Sequence, residues 1–332
     1  MISQDHHRAA HPDVRVIHSV AELRDELDRF RMASLSASIG LVPTMGALHE
    51  GHLSLIDRSD AECDLTVVSI FVNPTQFRPG EDLDRYPRQL QADIELAAAR
   101  GADVIFAPSA SEVYPDGFAT NIAIRGITDT LCGAAHRRGH EHFDGVATVV
   151  AKLFNMVQPD RAYFGQKDAQ QVAVIKRLVR DLDFRVEVVP CPTVREADGL
   201  AMSSRNVYLS PKQRSRALGL FAALAAARDL LANGETSAAA LTGVARDALS
   251  GIDSVEYFEL VDPDTLAPVS RIDRPVLAVI AARVGDTRLI DNLLLDPTAT
   301  PHGSAAGDSD AGDISITTQI PLTTQTPQGA VI

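Results

Sequence analysis

Two histidines three residues apart, His49 and His52, are the groups in this sequence best suited to binding phosphate. An apolar run and a Pro-Thr-Met-Gly turn precede them and residues at helical spacing follow, which predicts a strand, a turn and a helix beginning near Glu50. Backbone N–H groups and the positive dipole end attract anions at a helix start, where two imidazoles can donate hydrogen bonds. Gly51 would let a flat ring such as adenine approach the backbone. The alternative interpretation is two surface histidines beside an ordinary helix.

Three other loops carry groups that suit a nucleotide or a small acid. Lys167 precedes a predicted helix and can pair with a triphosphate; the alternative is a solvated surface lysine. Met202-Ser-Ser-Arg205, on a loop that contains Gly199, offers two hydroxyls and a guanidinium for pyrophosphate, unless the serines only cap a helix beside an exposed arginine. Gln76 and Gln171 are neutral and bidentate, which suits hydroxyl or carboxylate substrates better than a metal.

The elements that must position these groups alternate between strand and helix, which predicts an α/β fold with a doubly wound parallel sheet. Leu65–Val72 is a nearly continuous apolar run, typical of a strand covered on both faces. Loops that follow parallel strands gather at one edge of the sheet, which predicts a single site. The loops in question are Pro43–His52, Asn73–Phe77, Gly165–Gln171 and Val194–Arg205.

Shorter patterns predict an extended piece at Ala119–Arg125, a Gly- and His-rich loop at Leu131–Phe143, a helix at Val146–Val157 and Asp168 as a helix N-cap. From Pro211, two Ala- and Leu-rich helices precede three extended segments, which indicates a smaller α+β domain. The first of these segments, Val255–Val261, can pair across a subunit interface or within an internal sheet.

The predicted division is a flexible extension at 1–13, the sheet domain at 14–193, a smaller C-terminal lid domain at 194–297 and a disordered tail at 298–332.

Composition favours a soluble globular protein, with 45% hydrophobic and 23% charged residues in 332. No apolar run approaches the roughly 20 residues that span a bilayer, and the N-terminus lacks a signal-peptide pattern, so we expect a cytoplasmic protein. The cysteines, Cys63, Cys132 and Cys191, are too widely spaced to indicate a disulfide framework or a zinc site. A net charge of −13 disfavours nucleic acid and anionic membrane as partners.

Four phrases, in order and at matching separations, resemble the pantothenate synthetase (pantoate–β-alanine ligase) family. The resemblance extends from about Val14 to Pro297. It implies a nucleotidyltransferase-type Rossmann fold and the substrates ATP, pantoate and β-alanine, with Mg²⁺ accompanying ATP. It also implies a pantoyl adenylate intermediate and a homodimer. The phrases are Pro43-Thr-Met-Gly-Ala-Leu-His-Glu-Gly-His52, Ser69-Ile-Phe-Val-Asn-Pro-Thr-Gln-Phe77, Phe164-Gly-Gln-Lys-Asp-Ala-Gln-Gln171 and Arg195-Glu-Ala-Asp-Gly-Leu-Ala-Met-Ser-Ser-Arg205.

By this resemblance, His52 is the catalytic histidine, and His49 and Lys167 act with it. Gln76 and Gln171 contact pantoate, Asn73, Pro43 and Thr44 line the substrate site, and Asp93 lies near Mg²⁺. The ATP-binding residues are Met45, Gly46, Ala47, Leu48, His49, Glu50, Gly51, His52, Gly165, Gln166, Lys167, Asp168, Val194, Met202, Ser203, Ser204 and Arg205.

One loop departs from the family, which usually reads Arg-Pro-Gly-His-Phe-x-Gly-Val where this chain has His136-Arg-Arg-Gly-His-Glu-His-Phe-Asp-Gly-Val146. Either Arg137 or Arg138 can take the place of the arginine, and either His140 or His142 that of the histidine. The altered loop also leaves open an inactive ATP-binding regulator.

Other enzyme classes share parts of the pattern. A plain nucleotidyltransferase would release a stable adenylated product. A tRNA synthetase is disfavoured because the chain is acidic and has no basic RNA-binding extension. A serine hydrolase is disfavoured because the sequence has no Gly-x-Ser-x-Gly elbow.

Overall fold

The structure, a computed structural model, describes residues 14–298. The predicted extension 1–13, and the predicted tail apart from its first residue, lie outside the described residues. Within 14–298, no helix is long and apolar enough to cross a membrane. The strands are β1 (Arg15–Ile17), β2 (Ile39–Thr44), β3 (Leu65–Ile70), β4 (Val104–Phe106), β5 (Arg161–Gly165), β6 (Glu187–Cys191), β7 (Ser254–Val261), β8 (Val276–Val284) and β9 (Thr287–Leu295). The α-helices are α1 (Val20–Ala33), α2 (Glu50–Glu62), α3 (Leu90–Ala98), α4 (Ala110–Val113), α5 (His140–Val157), α6 (Ala169–Asp181), α7 (Pro211–Ala232) and α8 (Ala238–Ala248).

The first six strands form a parallel sheet in the order β1-β4-β3-β2-β5-β6. Successive residues of β2 enter different apolar clusters: Leu41 packs with α1, α5 and α6, whereas Val42 packs with α2 and α3. Helices therefore cover both faces, which explains why the central strands read as continuous apolar runs. The predicted doubly wound α/β fold is confirmed.

The strand order reverses between β2 and β5, which are direct neighbours. In an open α/β sheet, the crevice outside the carboxyl ends of the strands at such a reversal is where ligands bind. The loop after β2 carries His49 and His52, and the turn after β5 carries Lys167. The sheet therefore places the two most chemically suggestive motifs side by side.

The last three strands form an antiparallel sheet in the order β7-β8-β9. One face packs against α7 and α8, and the other packs against residues of α5 and α6, such as Ala147 and Val174. The predicted smaller α+β part is thus observed, and Val255–Val261 pairs inside the chain with β8. The domain boundary at 194 and the lid role stay predictions.

Two local predictions can be compared with the structure. Ala119–Arg125, predicted as an extended piece, joins neither sheet; it runs along α5, where the Ile122 N–H donates to the Thr148 hydroxyl at 2.9 Å and Arg125 pairs with Asp144 at 2.8 Å. The predicted loop Leu131–Phe143 is helical from His140, because α5 begins six residues before the predicted start.

Gly145, the sixth residue of α5, helps to explain why the beginning of this helix resembles a loop in the sequence. A Cβ at residue 145 would lie 2.5 Å from the carbonyl oxygen of Thr75, which belongs to the 3₁₀ turn Pro74–Gln76. Only glycine lets the helix backbone approach that turn so closely. The helix start is thus determined by a tertiary contact.

We expect Gly145→Ala to destabilise the fold by about 1–3 kcal/mol, because backbone atoms must move to accommodate the methyl group. Gly243→Ala is the matched control: Gly243 lies inside α8 with nothing within 4 Å of its Cβ position. The control should gain about 0.5–1 kcal/mol from helix propensity. Denaturant unfolding of both variants measures the difference, and equal stabilities would contradict the steric argument.

Candidate active site

A cleft of about 180 Å³ opens at the carboxyl ends of β2, β3 and β5, and residues from all four predicted loops line it. A neighbouring cavity of about 440 Å³ shares Arg138, Lys167, Asp168, Ser203 and Arg205 with the cleft. The predicted residues in the cleft wall are Pro43, Thr44, Met45, His49, His52, Asn73, Gln76, Lys167, Asp168, Gln171, Ser203, Ser204 and Arg205. The predicted residues that line neither cavity are Gly46, Ala47, Leu48, Glu50, Gly51, Asp93, Gly165, Gln166, Val194 and Met202.

The two histidines close the start of α2 as a reciprocal cap. The Gly51 N–H donates to Nδ1 of His49 at 3.1 Å, and the His49 N–H donates to Nδ1 of His52 at 3.4 Å. An imidazole nitrogen that accepts a hydrogen bond carries no proton, so in both neutral rings the proton belongs on Nε2. The ring centroids are 4.1 Å apart. His49 is thus the N-cap residue of α2 and not part of the helix. Both rings retain an Nε2–H donor.

Burial keeps both rings uncharged. Burial and then the nearby Lys167 lower the pKa of His49 to about 4. Burial, His49 and Lys167 lower the pKa of His52 to about 3. At neutral pH the pair can donate hydrogen bonds without adding positive charge.

Gly51 gives space to the His49 ring. A Cβ at residue 51 would lie 2.8 Å from Cε1 of His49, so glycine makes room for the His49 ring to fold over the backbone. The approach of adenine to this backbone stays a prediction.

Asp93 of α3 holds the turn between β2 and α2. Its two carboxylate oxygens accept the N–H groups of Ala47 and Leu48 at 2.9 and 2.8 Å, and Asp93 is 1% exposed. Gly46, with φ of +81°, passes so close that a Cβ would lie 2.9 Å from the carboxylate. These bonds use Asp93 to shape the backbone, so it does not fit as a ligand of Mg²⁺.

Lys167 lies on the 3₁₀ turn Gln166–Asp168, directly after β5. Its Nζ donates to the Asp168 carboxylate at 3.0 Å. Burial opposes ionisation of Asp168, but Lys167 prevails and the pKa of Asp168 is lowered. Asp168 stands at the N-cap position of α6 without capping it by its side chain, so that part of the prediction was wrong.

Ser203 caps the 3₁₀ segment Ser204–Tyr208, since its hydroxyl oxygen accepts the Arg205 N–H at 3.3 Å. The Arg205 guanidinium is partly buried and donates to both carboxylate oxygens of Asp82 at 3.0 and 3.1 Å. The alternative in which the serines cap a helix is therefore partly correct, since Ser203 caps a 3₁₀ segment. Arg205, however, is not freely exposed. Ser203, Ser204 and Arg205 all line the cleft beside Lys167.

Two glutamines, Gln76 and Gln171, also line the cleft. The side-chain amide of Gln76 makes two hydrogen bonds. Its Nε2 donates to the Met45 sulfur at 3.2 Å, and its Oε1 accepts from Asn73 at 3.0 Å. Gln171 makes no side-chain hydrogen bond with the described residues. Asn73 is 1% exposed and its amide and carbonyl are both engaged, so it orients Gln76. Thr44 likewise donates its hydroxyl proton to the Ser69 carbonyl at 2.7 Å.

The cleft also has an apolar part of its wall. Val146, Val149, Val150 and Leu153 recur at helical spacing along one face of α5 and line the cleft with Phe71 and Phe164. A ligand that fits there needs a compact apolar group as well as polar groups.

In the loop that departs from the family pattern, the two arginines lie in different places, and so do the two histidines. Arg138 and His142 line the cleft, whereas Arg137 and His140 do not. Arg137 instead donates to the carbonyls of Leu131 and Glu256 at 2.8 and 3.1 Å. His142 precedes Val146 by four residues and so extends the same helical stripe, which is the signal that the sequence analysis missed.

His142 links this loop to Gln76. Its Nδ1 lies 2.7 Å from the backbone carbonyl oxygen of Gln76 and must donate to it. The other ring nitrogen, Nε2, therefore accepts from Arg138 at 3.2 Å. Burial and then Arg138 lower the pKa of His142 to about 3. Ser69 was also missed: its buried hydroxyl lines the cleft and has no hydrogen-bond partner among the described residues.

We expect the unfolding free energy of His142→Gln to fall less steeply than that of wild type as the pH is lowered. An unfolded imidazole takes up a proton near pH 6.5 and the folded one only near pH 3, so wild type loses stability as the pH falls between these values. Removing the group should reduce the slope of unfolding free energy by up to about 1.4 kcal/mol per pH unit. Denaturant titrations from about pH 6.5 to pH 4 measure it. His136→Gln, on an exposed residue, is the control, and parallel slopes for the two variants would contradict the prediction.

The sequence of this chain is similar to those of known proteins. The family model described as pantoate-beta-alanine ligase matches residues 15–294. The pantothenate synthetase of Acetivibrio thermocellus is 52% identical over 285 residues, covering 85% of this chain and 100% of the relative.

Two solved structures are also similar. Pantothenate synthetase from Thermus thermophilus has a TM-score of 0.79 at 48% identity, covering 84% of this chain and 99% of that one. Pantoate-beta-alanine ligase from Francisella tularensis, complexed with beta-gamma ATP and beta-alanine, has a TM-score of 0.69 at 33% identity, covering 86% of this chain and 100% of that one. With the cleft, these matches show that the chain belongs to the pantoate–β-alanine ligase family.

Proposed function

We propose that this chain condenses pantoate with β-alanine at the expense of ATP, giving pantothenate, AMP and diphosphate through a bound pantoyl adenylate. One observation carries the proposal: a single cleft is lined by Gln76 and Gln171, by an apolar stripe of α5, and by groups suited to phosphate. Pantoate has two methyl groups on one carbon, two hydroxyls and a carboxylate. The valines of α5 suit the methyl groups, and Gln76 and Gln171 suit the hydroxyls.

In the first step, a pantoate carboxylate oxygen bonds to the α-phosphorus of ATP and the bond to the β-phosphate oxygen breaks. Negative charge accumulates on the α-phosphate and on the departing diphosphate. Neutral Nε2–H donors from His49 and His52 and the charge of Lys167 are suited to stabilise it. Ser203, Ser204 and Arg205 approach from the opposite loop.

In the second step, the β-alanine amine attacks the activated carboxyl carbon. The new C–N bond replaces the C–O bond to AMP, which leaves with the electron pair while the amine loses a proton. No enzyme group is acylated.

ATP would be held by the predicted loop residues from Met45 to His52, Gly165 to Asp168 and Met202 to Arg205, with Val194. Mg²⁺ is proposed to arrive with the phosphates, because it usually keeps several waters and few protein ligands. The described residues include no cluster of three or more His, Cys, Asp or Glu that could hold a metal. Asp93 is not proposed as its ligand, because its carboxylate already accepts the Ala47 and Leu48 N–H groups. A cytoplasmic homodimer is proposed from the family alone.

The decisive assay is AMP release from MgATP and pantoate, with and without β-alanine, with the product identified by mass. Release that depends on the amine, with pantothenate formed, supports the ligase. An accumulating adenylate would favour a nucleotidyltransferase, and no ATP turnover would favour a regulator. Arg138 and His142 reach the cleft in the altered loop, so that loop no longer favours the regulator.

We expect Lys167→Ala and His52→Ala each to lower kcat by ~10²–10³ with the fold intact, because each removes a donor to developing charge. Lys176→Ala, on an exposed lysine of α6, is the control for loss of one positive charge. Steady-state rates and circular dichroism of the three variants provide the measurement. A near-normal kcat in either site variant would remove that residue from the mechanism.

Arg138→Gln and Arg137→Gln should separate catalysis from stability. Arg138 faces the cleft and bonds to His142, so its loss should lower kcat/KM for pantoate at least about tenfold. Arg137 bonds to two carbonyls and lies 4.7 Å from the Tyr257 ring centroid, so its loss should lower unfolding free energy by about 1–3 kcal/mol with kcat/KM retained. The opposite pattern in kinetics and thermal melting would make Arg137 the cleft arginine.

A further inference from the structure

Adjacent residues of β9 hold two of the three loops that are proposed to bind ATP. The Asn292 side-chain amide donates to the carbonyls of Gln166 and Lys167, each at 2.8 Å. Asn292 is 4% exposed, so these bonds are shielded from water. The backbone that carries the Lys167 side chain is therefore attached to the antiparallel sheet, although Lys167 itself follows a strand of the parallel sheet.

Asp291 holds the opposite loop. Its carboxylate accepts two hydrogen bonds from the Arg195 guanidinium, at 2.7 and 2.9 Å, and Asp291 is also 4% exposed. Arg195 in turn donates to the Gly199 carbonyl at 3.1 Å and lies 4.1 Å from the Phe221 ring centroid. The start of the loop that ends in Ser203–Arg205 is thus fixed by a buried, bidentate ion pair.

The strand geometry makes this double attachment possible. Asp291 and Asn292 pair in register with Ile280 and Val279 of β8, whose side chains are buried. Successive side chains of a strand point to opposite faces, so neighbouring residues can reach two different loops from one rigid backbone. A shift of β9 would move both attachments together.

We propose that Asp291 and Asn292 are positioning residues that set the separation between Lys167 and Ser203–Arg205, and with it the placement of the ATP phosphates. The inference rests on the proposed function, because it takes these two loops to bind ATP. Both residues act through other groups: Asn292 through the backbone of Lys167, and Asp291 through Arg195. Donors placed within a fraction of an ångström are what phosphate chemistry needs, so an error in this separation should weaken ATP binding specifically.

Asn292→Asp and Asn292→Leu test the first attachment. Both keep the number and branching of side-chain heavy atoms, but aspartate presents a carboxylate to two carbonyl oxygens and leucine presents no donor. We expect the Kd for MgATP, measured by calorimetry, to rise about tenfold in both variants, whereas KM for pantoate stays within about twofold of wild type. Asn233→Asp, on an exposed residue at the end of α7, is the control for the added negative charge.

Asp291→Asn tests the second attachment, with Asp229→Asn as the control because Asp229 forms an exposed ion pair with Arg228 at 2.8 Å. The same selective rise in the Kd for MgATP is expected. A merely structural role would lower the melting temperature and the active fraction, which reduces kcat but leaves Kd and KM unchanged. Unchanged Kd values in folded variants, or equal losses for ATP and pantoate, would overturn the proposal.

Calorimetry separates this result from the proposed function, because binding is measured without turnover. A wild-type chain that binds MgATP but forms no pantothenate contradicts the ligase and still permits the comparison of variants. A wild-type chain that binds no ATP overturns both.

Discussion

The reversal of strand order between β2 and β5 is the constraint on which the site depends. It places the loops after these two strands at one edge of the sheet, and the helices that follow, α2 and α6, lie on opposite faces. Both helices therefore begin at the crevice, where the positive ends of their dipoles favour an anion. The histidine pair and Lys167 add side-chain donors to a location that the backbone already makes favourable for phosphate.

The cleft obtains its donors without accumulating charge. Each of its cations has a carboxylate partner, and its three histidines have lowered pKa values that leave them neutral at pH 7. A triphosphate must therefore exchange partners with these carboxylates, an exchange that favours a ligand offering several strong acceptors at once. The pairs are Lys167 with Asp168, Arg138 with Glu81 and Arg205 with Asp82.

Sequence patterns predicted the parallel sheet and the gathering of four loops because both follow from local periodicity and from the rule for carboxyl ends. These patterns could not distinguish polar side chains that hold the protein backbone in place from polar side chains that contact a ligand. Asn73, Thr44 and Asp93 have the chemistry of ligands, yet their hydrogen bonds go to backbone and neighbouring side chains that are distant in sequence. The start of α5 was missed for the same reason, since Gly145 is required by a contact with Thr75.

The packing of the antiparallel sheet bears on the predicted lid. The strand β8 is buried along nearly its whole length, with one face against α7 and α8 and the other against α5 and α6. Moving the whole sheet away from α5 and α6 would expose residues such as Leu277 and Val279, at about 1.5–3 kcal/mol for each large apolar side chain. It would also break the two bonds from Asn292 to the turn that carries Lys167. Any lid motion that keeps the site assembled must therefore leave this interface closed and be confined to loops around it.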